Sequence, residues 1–99
     1  MEKYRIVRVD SKRTRVNKWH EVVTGKLCTI EFLRVGEIGW LLIDGISPWE
    51  ETTRFHTSLV LVIVEQDDEL TIETENSVYT LKKENNYDEG NDECTQGSV

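Results

Sequence analysis

The chain alternates apolar and polar positions with a period of two. In residues 4–9, Tyr4 and Ile6 fall on one side of an extended backbone, with Val7 and Val9 offset to the other. Residues 26–35 set Cys28, Ile30 and Phe32 against Leu27, Thr29, Glu31 and Leu33. Residues 55–65 set Val60, Val62 and Val64 against Leu59, Leu61 and Ile63. In residues 70–75, Leu70 and Ile72 oppose Thr71 and Glu73. Such alternation predicts strands whose two faces meet different surroundings. The many β-branched residues suit a pleated surface. Residues 40–43 are apolar throughout and predict a central strand with Trp40 in the core. Residues 19–23 predict a short second strand and residues 78–81 the last one.

Turn chemistry separates these runs. Gly25, the Gly36–Gly39 bracket, Asp44-Gly45, residues 66–69 and Asn76-Ser77 all mark reversals. Residues 10–17 are polar and cationic and predict a long first loop. Ser47-Pro48-Trp49-Glu50 has a capping serine, a proline suited to the first helical position, and a glutamate three residues past the cap. It predicts a short helix or 3₁₀ turn near residues 48–53, with Trp49 packed on the body of the fold. Five or six short strands joined by tight turns predict a mainly β protein, a small SH3-like (or OB-like) barrel. The barrel is expected to occupy residues 1–83. Residues 84–99 lose the period, carry many acids and asparagines, and predict a flexible, disordered acidic tail.

At 99 residues the chain holds one core. Its longest apolar run, residues 59–64, is far short of the roughly 20 residues of a membrane helix. The first ten residues lack the apolar centre of a signal peptide. The expected location is the cytoplasm. Two cysteines without a Cys-x-x-Cys spacing give no support to a zinc or redox site.

Charge divides the chain. Residues 1–35 hold nine of the twelve Lys and Arg against four acids, a net of +5. The remainder holds three bases against fifteen acids, a net of −12. Two surfaces stand out. Lys12, Arg13, Arg15 and Lys18 lie beside Trp19, a grouping suited to phosphates or to an acidic protein face. Glu65, Asp67, Asp68, Glu69, Glu73 and Glu75 cluster on one predicted hairpin. A row of carboxylates can occupy a channel built from Lys and Arg for nucleic acid.

Candidate chemistry is sparse. His56 and Ser58 are two apart in a predicted strand, so they share a face with Cα atoms about 7 Å apart. They lack the orienting carboxylate and oxyanion loop of a nucleophile–base pair. Cys28 sits among apolar neighbours and reads as an inert buried thiol. Asp67-Asp68-Glu69 lacks the spacing of a calcium loop, and Gly36 to Gly39 is too short for a phosphate loop. The expectation is a protein without catalytic residues, metal or cofactor.

Residues 56–81 read HTSLVLVIVEQDDELTIETENSVYTL. Thr57-Ser58-x-Val60, a hairpin, and then Leu70-Thr71-Ile72-x-Thr74-x-Asn76-Ser77-x-Tyr79 resemble short proteins of phages and mobile elements. The resemblance covers 26 of the 99 residues. Small acidic phage proteins in turn resemble anti-defence proteins such as anti-CRISPRs. It implies an accessory protein that acts in the cytoplasm of a bacterial host. Such a protein would bind and inhibit a host defence protein, for instance a CRISPR effector or another nuclease. The competing expectation is a small nucleic-acid-binding barrel that uses the basic loop 12–19.

Overall fold

The computed structural model describes residues 2–13 and 18–84. Six strands and one helix follow in the order β1 (Lys3–Ser11), α1 (Lys18–Val23), β2 (Leu27–Phe32), β3 (Ile38–Asp44), β4 (Thr52–Gln66), β5 (Glu69–Thr74) and β6 (Ser77–Glu84). Each strand pairs antiparallel with the next, and β1 pairs with β6 to close the barrel. The small, mainly β barrel expected from the alternation is present. Its strand order is a plain meander, without the strand exchange of a Greek key.

The period of two becomes an inside and an outside. Ile6, Cys28, Leu41, Ile43, Val60, Ile72 and Leu81 are fully buried and fill the barrel. Removing such side chains from water is the main stabilising force, worth roughly 1.5–3 kcal/mol for each large one. Val23 of α1 is also fully buried, so the helix plugs the barrel with its C-terminal end.

β4 shapes the rest. It is 15 residues long, and its two halves serve different neighbours. Thr52 to Leu59 pair with β3, whereas Val60 to Gln66 pair with β5. A register shift between Val60 and Val62 marks the changeover. This bulge overturns the simple alternation expected for the strand. Val60 is core, but Val62 and Val64 are exposed and Ile63 turns partly inward. The extra residue moves every later side chain to the other face.

Three further expectations are corrected. Residues 19–23 are helical, not extended, because Trp19 and Val23 share one helical face and Val23 has a barrel end to fill. Residues 48–51 form only a turn and bend, and β4 already begins at Thr52. The serine does cap, accepting from the Trp49 N–H at 3.2 Å, but the segment has no apolar face to bury. Trp49 is accordingly 89% exposed and is not packed on the body of the fold. Trp40 lies on the outer face of β3, since Gly39, Leu41 and Ile43 take the inner positions. β6 continues in register to Glu84, opposite Lys3. The expected tail beyond it lies outside the described residues.

Candidate functional site

The motif residues 56–58 and 76–79, separated by a whole hairpin in sequence, meet in space. Ser58 Oγ donates to Thr74 Oγ1 at 2.8 Å and accepts from the Asn76 N–H at 3.1 Å. Thr74 Oγ1 also accepts from the Ser77 N–H at 3.0 Å. Thr57 Oγ1 turns the other way and accepts from the Gly39 N–H at 2.9 Å. These hydroxyls satisfy backbone groups where β4 changes partners and the β5–β6 turn begins. Buried polar groups need such partners.

A cleft of about 380 Å³ opens beside this network. One wall is residues 53–58 of β4. The other is Trp19 and His20 of α1, with Asn76, Ser77 and Tyr79 beyond them. His20 Nε2 lies 3.1 Å from Ser77 Oγ, which ties the helix to β6. Aromatic rings run across the floor. Trp19 and Phe55 have centroids 6.4 Å apart, Phe55 and Tyr79 6.2 Å, and Tyr79 and His20 6.3 Å. Tyr79 is buried and its phenol pKa is raised by desolvation, so it stays neutral. Trp19 is 48% exposed and forms part of the rim.

The outer rim is cationic and aromatic. Arg54 stacks over Trp40, 4.3 Å from the ring centroid, and its Nε donates to Glu31 Oε1 at 2.9 Å. Trp40 in turn packs against His56, with centroids 5.2 Å apart. Among the described residues the cleft is bordered by one guanidinium and two imidazoles and by no carboxylate.

The two surfaces expected from sequence touch one another. Lys12 Nζ is 2.7 Å from Glu73 Oε2, and Arg13 Nε donates to Asn76 Oδ1 at 3.1 Å. Part of the basic loop therefore lies along the β5–β6 turn. Lys18 and Trp19 start α1, and Arg15 falls outside the described residues. Glu65, Asp67, Asp68 and Glu69 surround the β4–β5 turn, where Asp67 adopts a positive φ of 56°. Glu73 lies on β5 with its carboxylate engaged by Lys12, and Glu75 lies in the following turn. The six acids therefore form no single row. The cleft brings Trp19 together with His20, Arg54 and His56, a set that sequence spacing does not connect.

His56 and Ser58 do not pair. His56 Nδ1 lies 3.2 Å from the Thr57 carbonyl, while Ser58 serves Thr74. Cys28 is a free, buried thiol whose pKa is pushed up to about 12 by desolvation and by the nearby Asp44 carboxylate. No group of three or more metal-ligating side chains occurs among the described residues. No helix there is long and apolar enough to cross a membrane. No protein-family model, curated protein or solved structure matches the chain.

Proposed function

We propose that this protein is a non-catalytic accessory protein of the phage or mobile-element kind. It binds a host defence protein that handles nucleic acid, such as a nuclease complex, and blocks it. The observation that supports this reading is the convergence of the two motif halves on one cleft with Trp19 at its rim. A half-exposed tryptophan over a concave, pre-formed surface is the usual shape of a binding anchor. The contact then centres on the cleft. The acids at the β4–β5 turn act from the side, by steering a basic partner.

A pull-down from host lysate followed by a nuclease inhibition assay tests this. Wild-type protein is expected to recover a nuclease complex and inhibit it. Trp19→Ala should weaken inhibition at least about tenfold, in the range of an anchor residue. Asp68→Asn with Glu69→Gln should weaken it less and mainly at low salt. Recovery of no nucleic-acid-handling protein would overturn the proposal.

A second reading, single-stranded nucleic acid, draws on one observation: the carboxylate-free cleft with Trp19 and Arg54. Bases stack on aromatic rings, and phosphates need cations. A titration of DNA and RNA oligonucleotides at about 50 mM salt decides it, since phosphate contacts are strongest at low salt.

A further inference from the structure

Successive side chains of a strand point to opposite faces. Residues 53–58 of β4 all border the cleft nonetheless. Six consecutive residues can border one space only if that space runs along the edge of the strand. The pairing agrees. Up to Leu59, β4 is paired with β3 on one side, and β5 joins only from Val60. Among the described residues, no strand lies beside residues 53–58 on the side away from β3. In an antiparallel ladder alternate residues direct their N–H and C=O away from the partner strand. Alternate residues along this edge therefore turn a donor and an acceptor away from β3, although the Thr57 carbonyl already meets His56 Nδ1 at 3.2 Å and the Ser58 carbonyl accepts from Thr57 Oγ1 at 2.7 Å.

We propose that the cleft is a slot for strand addition. An extended peptide segment bearing carboxylates, supplied by the partner protein, pairs with the open edge of β4. The inference rests on the reading that the partner is a protein. Three observations specify the occupant. The open edge asks for a peptide backbone, because only a main chain offers donors and acceptors at strand spacing. Residues 53–58 span about 17 Å at the rise of a strand, room for five or six peptide residues. Arg54 is held by Glu31 only through Nε, and its side chain is 60% exposed, so its remaining guanidinium N–H donors can take a carboxylate of the incoming segment. Trp19 is placed to cover an apolar side chain of the incoming segment. The β5–β6 turn closes one end, where the Asn76 N–H already bonds Ser58 Oγ. The Thr53 hydroxyl, buried without a hydrogen-bond partner, lies at the other end of the bordering run.

The test uses the full chain and an array of linear eight-residue peptides. Half of the peptides carry two or three Glu or Asp, and half carry Lys at the same positions. The acidic set is expected to yield binders, with each Lys counterpart at least about tenfold weaker. Adding the best peptide should slow amide exchange at alternate positions within residues 53–58. N-methylating the peptide at alternate amides should abolish binding in one register and spare it in the other. An array with no binder tighter than about 1 mM would sink the slot. So would a binder indifferent to N-methylation in either register, or one unaffected by the acid-to-Lys change. Protection of the same amides by a ten-residue oligo(dT) with no peptide binding would overturn it in favour of nucleic acid. If peptides bind as expected but no host nuclease is recovered, the slot stands and the inhibitor reading falls. A recovered nuclease with an empty array gives the reverse.

Discussion

A thiol with no water around it holds its proton. Cys28 is fully buried, and its pKa of about 12 lies above the ordinary cysteine value. The folded state therefore keeps a proton that the unfolded chain releases above about pH 8.5. The stabilisation from this group is complete below that pH and is lost as pH rises toward 12, at up to about 1.4 kcal/mol per pH unit. Tyr4 and Tyr79 shift in the same direction, so the variant comparison isolates the thiol. Urea unfolding of wild type and Cys28→Ala at pH 7 and pH 10.5 should show wild type losing about 2 kcal/mol more across the interval. Equal losses would mean that the thiol meets solvent. Thr57 carries a different constraint. Its hydroxyl is the partner of the buried Gly39 N–H, and a Cβ at Gly39 would lie only 3.1 Å from it. Thr57→Val keeps the shape and strands that N–H, at a cost of about 1–3 kcal/mol in denaturant unfolding. An unchanged midpoint would show that the backbone finds another partner.

At the scale of elements, legibility follows how local the cause is. The strands are readable because the period of two is written residue by residue, and Leu70 and Ile72 take the buried positions on that pattern. α1 was not readable. Trp19-His20-Glu21-Val22-Val23 carries strand-like β-branched residues, and only the barrel end that receives Val23 makes it a helix. The bulge in β4 was hidden for a similar reason: it exists because β4 must leave β3 and join β5, which no local pattern records. The site inherits both gaps. Of the residues quoted for the motif, Thr57, Ser58, Asn76, Ser77 and Tyr79 line the cleft, whereas Val60, Leu70, Thr71, Ile72 and Thr74 do not. Trp19 stands out in the sequence for the cations beside it, but its place opposite β4 depends on the helix. Arg54 is silent in the sequence because its meaning lies in Trp40 and Glu31, partners 14 and 23 positions away.

For the whole molecule, the charge halves of the sequence do not become two halves of the surface. Cations from early strands meet acids from late ones: Lys3 with Asp44, Arg5 with Glu84, and Lys12 with Glu73. A closed meander imposes this by laying β1 beside β6. Such partly exposed pairs contribute little individually, so the fold is expected to tolerate their loss. The barrel's strength is uneven instead. β1 and β6 match over eight register pairs, but β1 and β2 match over only two, Tyr4 with Cys28 and Arg5 with Leu27. The Ile6 N–H to Lys26 and Gly25 N–H to Ile6 bonds lengthen that seam slightly. Amide exchange should be faster along this seam than along β1–β6. Comparable protection on both would show that the closure is as firm as the rest.

The connection that crosses this short seam, residues 12–26, is also the one that carries α1. A fluctuation that loosens the seam therefore moves the wall of the cleft, and the width of the binding slot breathes with the closure of the barrel. Whatever fills the slot, held by α1 on one side and β4 on the other, would act as a clasp on the whole tube. Occupancy would then register as a higher melting temperature, even for a ligand that touches none of the core.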